Sequence, residues 1–216
     1  MQVTAIIAAR GGSVRLPGKA MLPYAGTTMI GHKIDTLKAC RLVSRIVVNT
    51  DSPNIRAEAI AHGAELIDGR DYHDDTREMI GDSVAKVNAA DNDLILWAHP
   101  TNPLVSAQTY RIAIEMFQFT ATRAVFDSLC SVYAVKRHAW MGGQPINYNP
   151  WAERHQLAAD LPPICFQDGA IFIQPAGQML ANRYFFGANP LLFVMPENEV
   201  SDIDTAADYQ RAISLL

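Results

Sequence analysis

The segment Val3–Lys19, VTAIIAARGGSVRLPGK, constrains what this chain can fold into more than any other. Its apolar run from Val3 to Ala9 has the length and β-branched content of a strand covered on both faces. The run breaks at Arg10 into Gly11, Gly12 and Ser13, and Arg15, a Pro-Gly turn and Lys19 follow. Two glycines let backbone N–H groups turn toward an anion, and the serine hydroxyl adds a donor. Arg10, Arg15 and Lys19 add positive charge to the same loop. A strand feeding such a loop is expected to bind phosphate. The plainer alternative is a strand followed by an ordinary polar loop, but loops usually disperse charge, and this one gathers three cations within ten residues.

Two familiar phosphate loops do not fit. A Walker loop places four residues between its glycines and then Lys-Ser/Thr, whereas five lie between Gly12 and Gly18, and Ala20 has no hydroxyl for a metal. The dinucleotide pattern G-x-G-x-x-G is absent.

Downstream, the chain alternates apolar runs with amphipathic ones. Met29, Ile30, Ile34 and Leu37 fall at helical spacing, Arg45–Thr50 reads as a strand ending at Asp51, and Ile55–His62 reads as a short helix ended by Gly63. Ala64–Ile67 is a third strand, and Arg77–Asn88 a helix. Leu94–Ala98 is the most apolar strand, Tyr110–Phe119 a helix, and Ala124–Val135 strand material. Gln167–Ile173 and Leu191–Met195 are further strands. This is the βαβ pattern of an α/β chain with a mostly parallel sheet covered on both faces. The segment from Lys136 to Pro163 departs from it, with Gly142-Gly143, two tryptophans, several prolines and little periodicity. Exposed aromatics in such an excursion point to a packing surface or subunit contact.

Composition bounds the function. A chain of 216 residues with 49% hydrophobic content can bury a sizeable core. A net charge of −4 and a pI near 5.8 argue against a nucleic-acid or membrane-surface binder. No apolar run reaches membrane-spanning length, and the N-terminal apolar stretch runs into Arg-Gly-Gly instead of a cleavage site. Cys40, Cys130 and Cys165 are far apart and lack metal-ligand spacing, so they are expected to be reduced thiols of a cytoplasmic protein.

Three further places could carry chemistry. In an open parallel sheet ligands collect beyond the carboxyl ends of the strands, which puts His99-Pro100-Thr101-Asn102-Pro103 beside the first loop. His99 there could meet a base or an acceptor, or cap the strand for structural reasons. Near the end, Asp202 and Asp204 flank Ile203. In an extended backbone both carboxylates face one side, as a divalent cation completed by phosphates requires. Asp204 or Thr205 with Asp208 also resembles a helix-capping arrangement. The acidic run with Asp68, Asp71, Asp74 and Asp75 reads as a solvated loop with capping residues more readily than as a metal site.

Taken together, AARGGSVRLPGK, VVNTD, HGAELI, WAHPTNPL, LPPICFQDGAIFI and MPENEVSDIDTAAD resemble, in collinear order, the cytidylyltransferases that make CMP-activated acidic sugars. Among these the closest in wording are the CMP-sialic acid synthetases and their nonulosonic-acid relatives, with RLPGK leaning toward the CMP-Kdo synthetases. The resemblance implies a three-layer α/β/α, Rossmann-like nucleotidyltransferase fold forming one domain over residues 1–216, with a dimerisation insertion at about 136–163. It implies that Ala8, Arg10, Gly11, Gly12, Ser13, Arg15, Lys19 and Asp51 bind CTP. Asp202 and Asp204 would hold Mg2+, and His99, Thr101, Asn102, Phe185 and Phe186 would meet a small acidic acceptor. Arg10, Lys19 and Asp204 would be catalytic, and the protein would be a cytoplasmic homodimer.

Departures from the family pattern concentrate on the acceptor side. Ala20 stands where the family has Asn, His99 where it has Gln, Val105 where it has Arg, and Ala158 where an acceptor-binding Arg is common. The expected reaction is attack of an acceptor oxygen on the α-phosphorus of CTP with loss of pyrophosphate. The acceptor would be a sialic-acid-like sugar acid. The alternatives are Kdo or a phosphonate as acceptor, or a nucleotide-binding module without chemistry.

Overall fold

The computed structural model describes residues 1–13, 15–69, 75–121 and 125–216. Asp71 and Asp74 of the acidic run, and Ala124 at the expected start of a strand, lie outside the described residues. In chain order the strands are β1 (Val3–Ala8), β2 (Pro23–Tyr24), β3 (Thr27–Thr28), β4 (Arg45–Thr50), β5 (Glu65–Asp68), β6 (Leu94–Ala98), β7 (Ser128–Val135), β8 (Trp140–Met141), β9 (Gln144–Pro145), β10 (Ile164–Pro175) and β11 (Pro190–Val194). The α-helices are α1 (Met29–Ala39), α2 (Pro53–Ala61), α3 (Thr76–Val87), α4 (Ala107–Ala121), α5 (Ala176–Asn182) and α6 (Ala206–Ile213).

Seven strands form one sheet in the order β11-β7-β10-β6-β1-β4-β5. Every pairing is parallel except those of β10, which runs against both β6 and β7. Alternation along the strands sorts the core into two layers. Val3, Ala5 and Ile7 of β1 and Leu94, Leu96 and Ala98 of β6 pack toward Ile34 and Leu37 of α1 and Ile114 and Phe117 of α4. Ile6, Ile95 and Trp97 point the other way, toward Ile80 and Val84 of α3 and Met179 of α5. The expected three-layer α/β/α arrangement is thus present. A third, smaller cluster of Tyr24, Met29, Ile203 and Ala212 ties the β2–β3 pair to the end of the chain.

Local chemistry explains the helix starts. Thr28, Ser52 and Asp75 each cap a helix by accepting a backbone N–H, and Pro53 opens α2 where a missing N–H costs nothing. Asp75 therefore has the capping role expected of the acidic run. Thr205 and Asp208 form a reciprocal capping box at α6.

Strand β10 begins at Ile164, earlier than the expected Gln167, and Gly169, at φ 73°, sits in a bulge where the register with β7 shifts between Gln167 and Phe172. The Gly142-Gly143 pair, both with positive φ, makes the two-residue turn of the β8–β9 hairpin inside an otherwise irregular excursion. That excursion leaves the sheet after Val135 and returns at Ile164, as the change in composition indicated. It exposes Trp140, Met141 and Trp151, the last 79% accessible. Helix α5 had no clear sequence signal, being short and without a capping side chain.

Candidate active site

The loop after β1 is fastened at both ends. Ala9 donates its N–H to Asn49 O at 3.0 Å, and Gly11 donates to Asp51 Oδ1 at 2.9 Å. A Cβ on Gly11 would lie 3.0 Å from Ser52 Cβ, so the glycine admits this close approach of loop and β4 terminus. The Gly11 amide thus shapes the loop instead of facing an anion, and Asp51 acts as its anchor.

The far end of the loop is held by residues from the other end of the chain. Lys19 Nζ donates to Ile203 O at 2.7 Å and to Asp204 Oδ1 at 3.0 Å, while Arg15 reaches Asp204 Oδ2 at 2.9 Å. Lys19 is largely enclosed and Arg15 is solvent-exposed. A cavity of about 200 Å³ lies beside them, with Ala8, Arg10, Ser13, Arg15, Lys19, His99, Thr101 and Asp204 among its lining residues. Eight of the residues singled out from sequence thus converge on one space. Gly11, Gly12, Asp51, Asn102, Asp202, Phe185 and Phe186 are not among its lining residues.

The loop after β6 forms the opposite wall. Ile203 donates its N–H to Thr101 O at 2.8 Å, laying the Asp202–Asp204 stretch along this loop. Ile203 is fully buried, as alternation required, and Asp202 is exposed. Thr101 hydrogen-bonds the Asp202 carboxyl, whose pKa is nonetheless raised, chiefly by desolvation and further by Asp204. Asn102 is 1% exposed, and its side-chain amide donates to Ser201 O and, at 3.2 Å, to Asp168 O. It braces the wall and is not positioned to touch an acceptor. The helix-cap alternative for the DIDT stretch is satisfied by Thr205 and Asp208, which leaves the carboxylates of Asp202 and Asp204 outside that role.

His99 sits at the mouth of this wall with its ring edge-on to Phe185 at 5.8 Å and Phe172 at 6.4 Å. Phe185 stacks on Phe172 at 4.7 Å and meets Trp97, and Phe186 joins the same group. Burial, with Lys33 and Lys19 adding to it, pushes the His99 pKa down to about 4. The imidazole is neutral at pH 7 and can exchange hydrogen bonds without bringing charge.

One residue of the site escaped the sequence reading. Lys33 of α1 is completely buried and donates to Asn102 O at 2.8 Å and Tyr110 OH at 2.7 Å. Its place on the apolar stripe of Met29, Ile30, Ile34 and Leu37 was a visible signal, since a lysine there must find partners inside. His32 bonds Pro103 O at 3.1 Å, so α1 holds the whole loop after β6 from beneath.

A family model described as cytidylyltransferase matches residues 4–130. The chain belongs to the cytidylyltransferase family. It is 31% identical, over 97% of its own length and 94% of the relative's, to the CMP-N,N'-diacetyllegionaminic acid synthase of Legionella pneumophila. It is 30% identical to the 3-deoxy-manno-octulosonate cytidylyltransferase of Actinobacillus pleuropneumoniae, over 74% of this chain and 68% of that one. Among solved structures, a CMP:2-keto-3-deoxy-manno-octonic acid synthetase complexed with CTP superposes with a TM-score of 0.71 at 18% identity, covering 100% of this chain and 98% of that one. The fold of this cytidylyltransferase is therefore that of a known nucleotidyltransferase, and the chain is a CTP-dependent nucleotidyltransferase by family.

The buried Lys33 gives a pH signature. Desolvation lowers its pKa from 10.5 to about 7. Between those values the unfolded chain holds a proton that the folded chain has released, so stability contributed by this group rises with pH from about 7 to 10. In urea titrations the wild type should gain on Lys33→Met by up to about 1.4 kcal/mol per pH unit across that window. Parallel curves for the two proteins would show that Lys33 ionises as an ordinary lysine.

Proposed function

We propose that this cytidylyltransferase moves CMP from CTP to a hydroxyl of an acidic sugar and releases pyrophosphate. The observation that carries the reading is the convergence of Arg10, Arg15, Lys19 and Asp204 on one cavity at the carboxyl ends of β1 and β6. Catalysis of nucleotidyl transfer is mostly positioning and charge neutralisation. Arg10, Lys19 and Ser13 would hold the triphosphate and stabilise the charge that gathers on the departing pyrophosphate. Gly11 and Gly12 form the turn that brings them there, and Asp51 fixes that turn.

Arg15 and Lys19 both pair with Asp204, and an incoming triphosphate would compete for these cations. Asp204 is then released toward the role the family resemblance gives it, holding Mg2+ together with Asp202. The donor set fits: two carboxylates, one of them with a pKa raised by desolvation and by its neighbour, gain from a nearby divalent cation. When bound, the metal supplies charge neutralisation at the phosphates and at the attacking oxygen. His99 and Thr101 would orient the acceptor, with Phe185 and Phe186 as the apolar wall behind His99. Neutral His99 is available at this wall as a proton acceptor at pH 7.

The relatives' acceptors define the test panel: N,N'-diacetyllegionaminic acid, pseudaminic acid, 3-deoxy-manno-octulosonate and its 8-amino-8-deoxy counterpart. Drift at His99, Val105 and Ala158 leaves the choice among them to measurement. Val105 is buried and Ala158 exposed, so neither stands in for an arginine. The insertion supports a homodimer through its exposed Trp140, Met141 and Trp151. Reduced thiols and the absence of a helix able to cross a membrane among the described residues agree with a cytoplasmic enzyme.

With CTP and that panel, pyrophosphate release should fall at least tenfold in Lys19→Ala and in Asp204→Ala while the circular dichroism melt stays cooperative. Near-normal turnover in both would refute the assignment. Excess chelator should abolish transfer, and added Mg2+ should restore it; activity that survives the chelator would remove the metal from the reading. Trp151→Glu combined with Met141→Glu should shift the sedimenting species from dimer toward monomer, and an unchanged dimer would place the subunit contact elsewhere.

A further inference from the structure

A second cavity, of about 450 Å³, adjoins the site, with Tyr133, Gln167, Asp168, Ser201, Asp202 and Arg211 among its lining residues. Asp202 is on its wall and Asp204 on the wall of the first cavity, so the two spaces flank the stretch proposed to hold the metal. Among the described residues, three buried side-chain nitrogen or oxygen atoms have no hydrogen-bond partner, and two of them, Asp168 Oδ2 and Ser201 Oγ, belong to residues that line this cavity. Unpartnered buried polar atoms are rare in folded proteins, and two beside one cavity call for a ligand.

Asp168 is 8% exposed. Its Oδ1 is fully engaged, accepting from Ser131 Oγ and, at 3.1 Å, from the Ala170 N–H. The β10 bulge next to Gly169 holds it in that setting, and bulges of this kind often re-aim a side chain beside a site. One oxygen therefore builds the bulge, and the other has no structural task. A buried carboxylate oxygen left without a donor is costly, and a donor arriving with a ligand removes that cost.

The chemistry of the wall says which end of a ligand it would take. Asp168, Asp202 and Asp208 face a single guanidinium, Arg211, which already lies 2.7 Å from Asp208 Oδ1. Such a wall repels an acid and favours hydroxyl or ammonium donors. Resting on the CMP-transfer reading above, we propose that this cavity receives the end of the acceptor remote from its acid group, where Asp168 Oδ2 and Ser201 Oγ accept hydrogen bonds from a hydroxyl or an ammonium. Asp168 is then a specificity-determining residue. The acceptor would span from His99 and Thr101, past Asp202, into this space.

The test compares 3-deoxy-manno-octulosonate with its 8-amino-8-deoxy counterpart, which differ at the end far from the acid. Asp168→Asn keeps an oxygen for Ser131 and Ala170 and replaces the unpartnered oxygen by a donor. It should raise the KM of whichever sugar is turned over at least tenfold, with the larger loss for the ammonium-bearing one, and leave the KM of CTP within twofold. Ser201→Ala should raise the same KM by a smaller factor, and serves if the Asp168 variant melts early. An unchanged acceptor KM in a folded Asp168→Asn enzyme that still releases pyrophosphate would overturn the proposal and leave the transfer reading standing. If neither sugar is turned over by the wild type, amide shifts in the full chain titrated with each sugar decide separately. Shifts at Gln167, Ser201 and Ala212 would support the cavity while the transfer reading falls, and their absence at millimolar sugar would overturn it.

Discussion

The site depends on one contact: the ammonium of Lys19 set between the Ile203 carbonyl and the Asp204 carboxylate. A partly enclosed lysine that meets a carbonyl and a carboxylate together is fixed in position. The described residues of the loop after β1 make few backbone bonds among themselves, and this contact and the Gly11–Asp51 bond hold its two ends. The walls of the cavity inherit that arrangement. Arg15 shares the same carboxylate from the solvent side, and the Asp202–Asp204 stretch is in turn laid along the loop after β6 by the Ile203–Thr101 backbone bond.

Beneath this layer lies a second set of constraints that is buried and polar. Lys33, Tyr110, Asn102, Asp168 and Ser131 connect α1, α4, the loop after β6, β10 and β7 through hydrogen bonds of side chains largely removed from water. Networks of this kind are worth little net stability but fix geometry, because each member left unpaired would be expensive. The elements they join are those that carry His99, Thr101 and the two aspartates. Burial raises the Tyr110 hydroxyl pKa well above its ordinary value, so it remains a neutral donor and acceptor within the network.

Much of this was legible in the sequence where local pattern and tertiary role coincide. The β-branched runs at Val3–Ala8, Arg45–Thr50 and Leu94–Ala98 have their place in the sheet dictated by composition, and the loop cations are adjacent in the chain. The alternation around Ile203 gave the right burial for the right reason. Asn102 and Gly11 were visible as residues but not as roles, since an amide that braces and one that binds look alike until their partners are known. The bulge at Gly169 was hidden because its signal, a glycine inside an apolar strand, also suits a strand entry. Asp168 could not be read at all: its two oxygens differ only in what β7 and the end of the chain bring to them.

The span of the Lys19–Asp204 contact has a consequence for the order in which this molecule becomes itself. Strands β1, β4 and β5 can pair from residues close in sequence, whereas Lys19 and Asp204 must find one another across 185 positions. Contacts of such long separation form late, after the entropy of closing the intervening chain has been overcome. A chain lacking that contact could own a finished sheet edge and an open, unfinished cavity. The cavity beside Lys19 is whole only when the two ends of the chain have met.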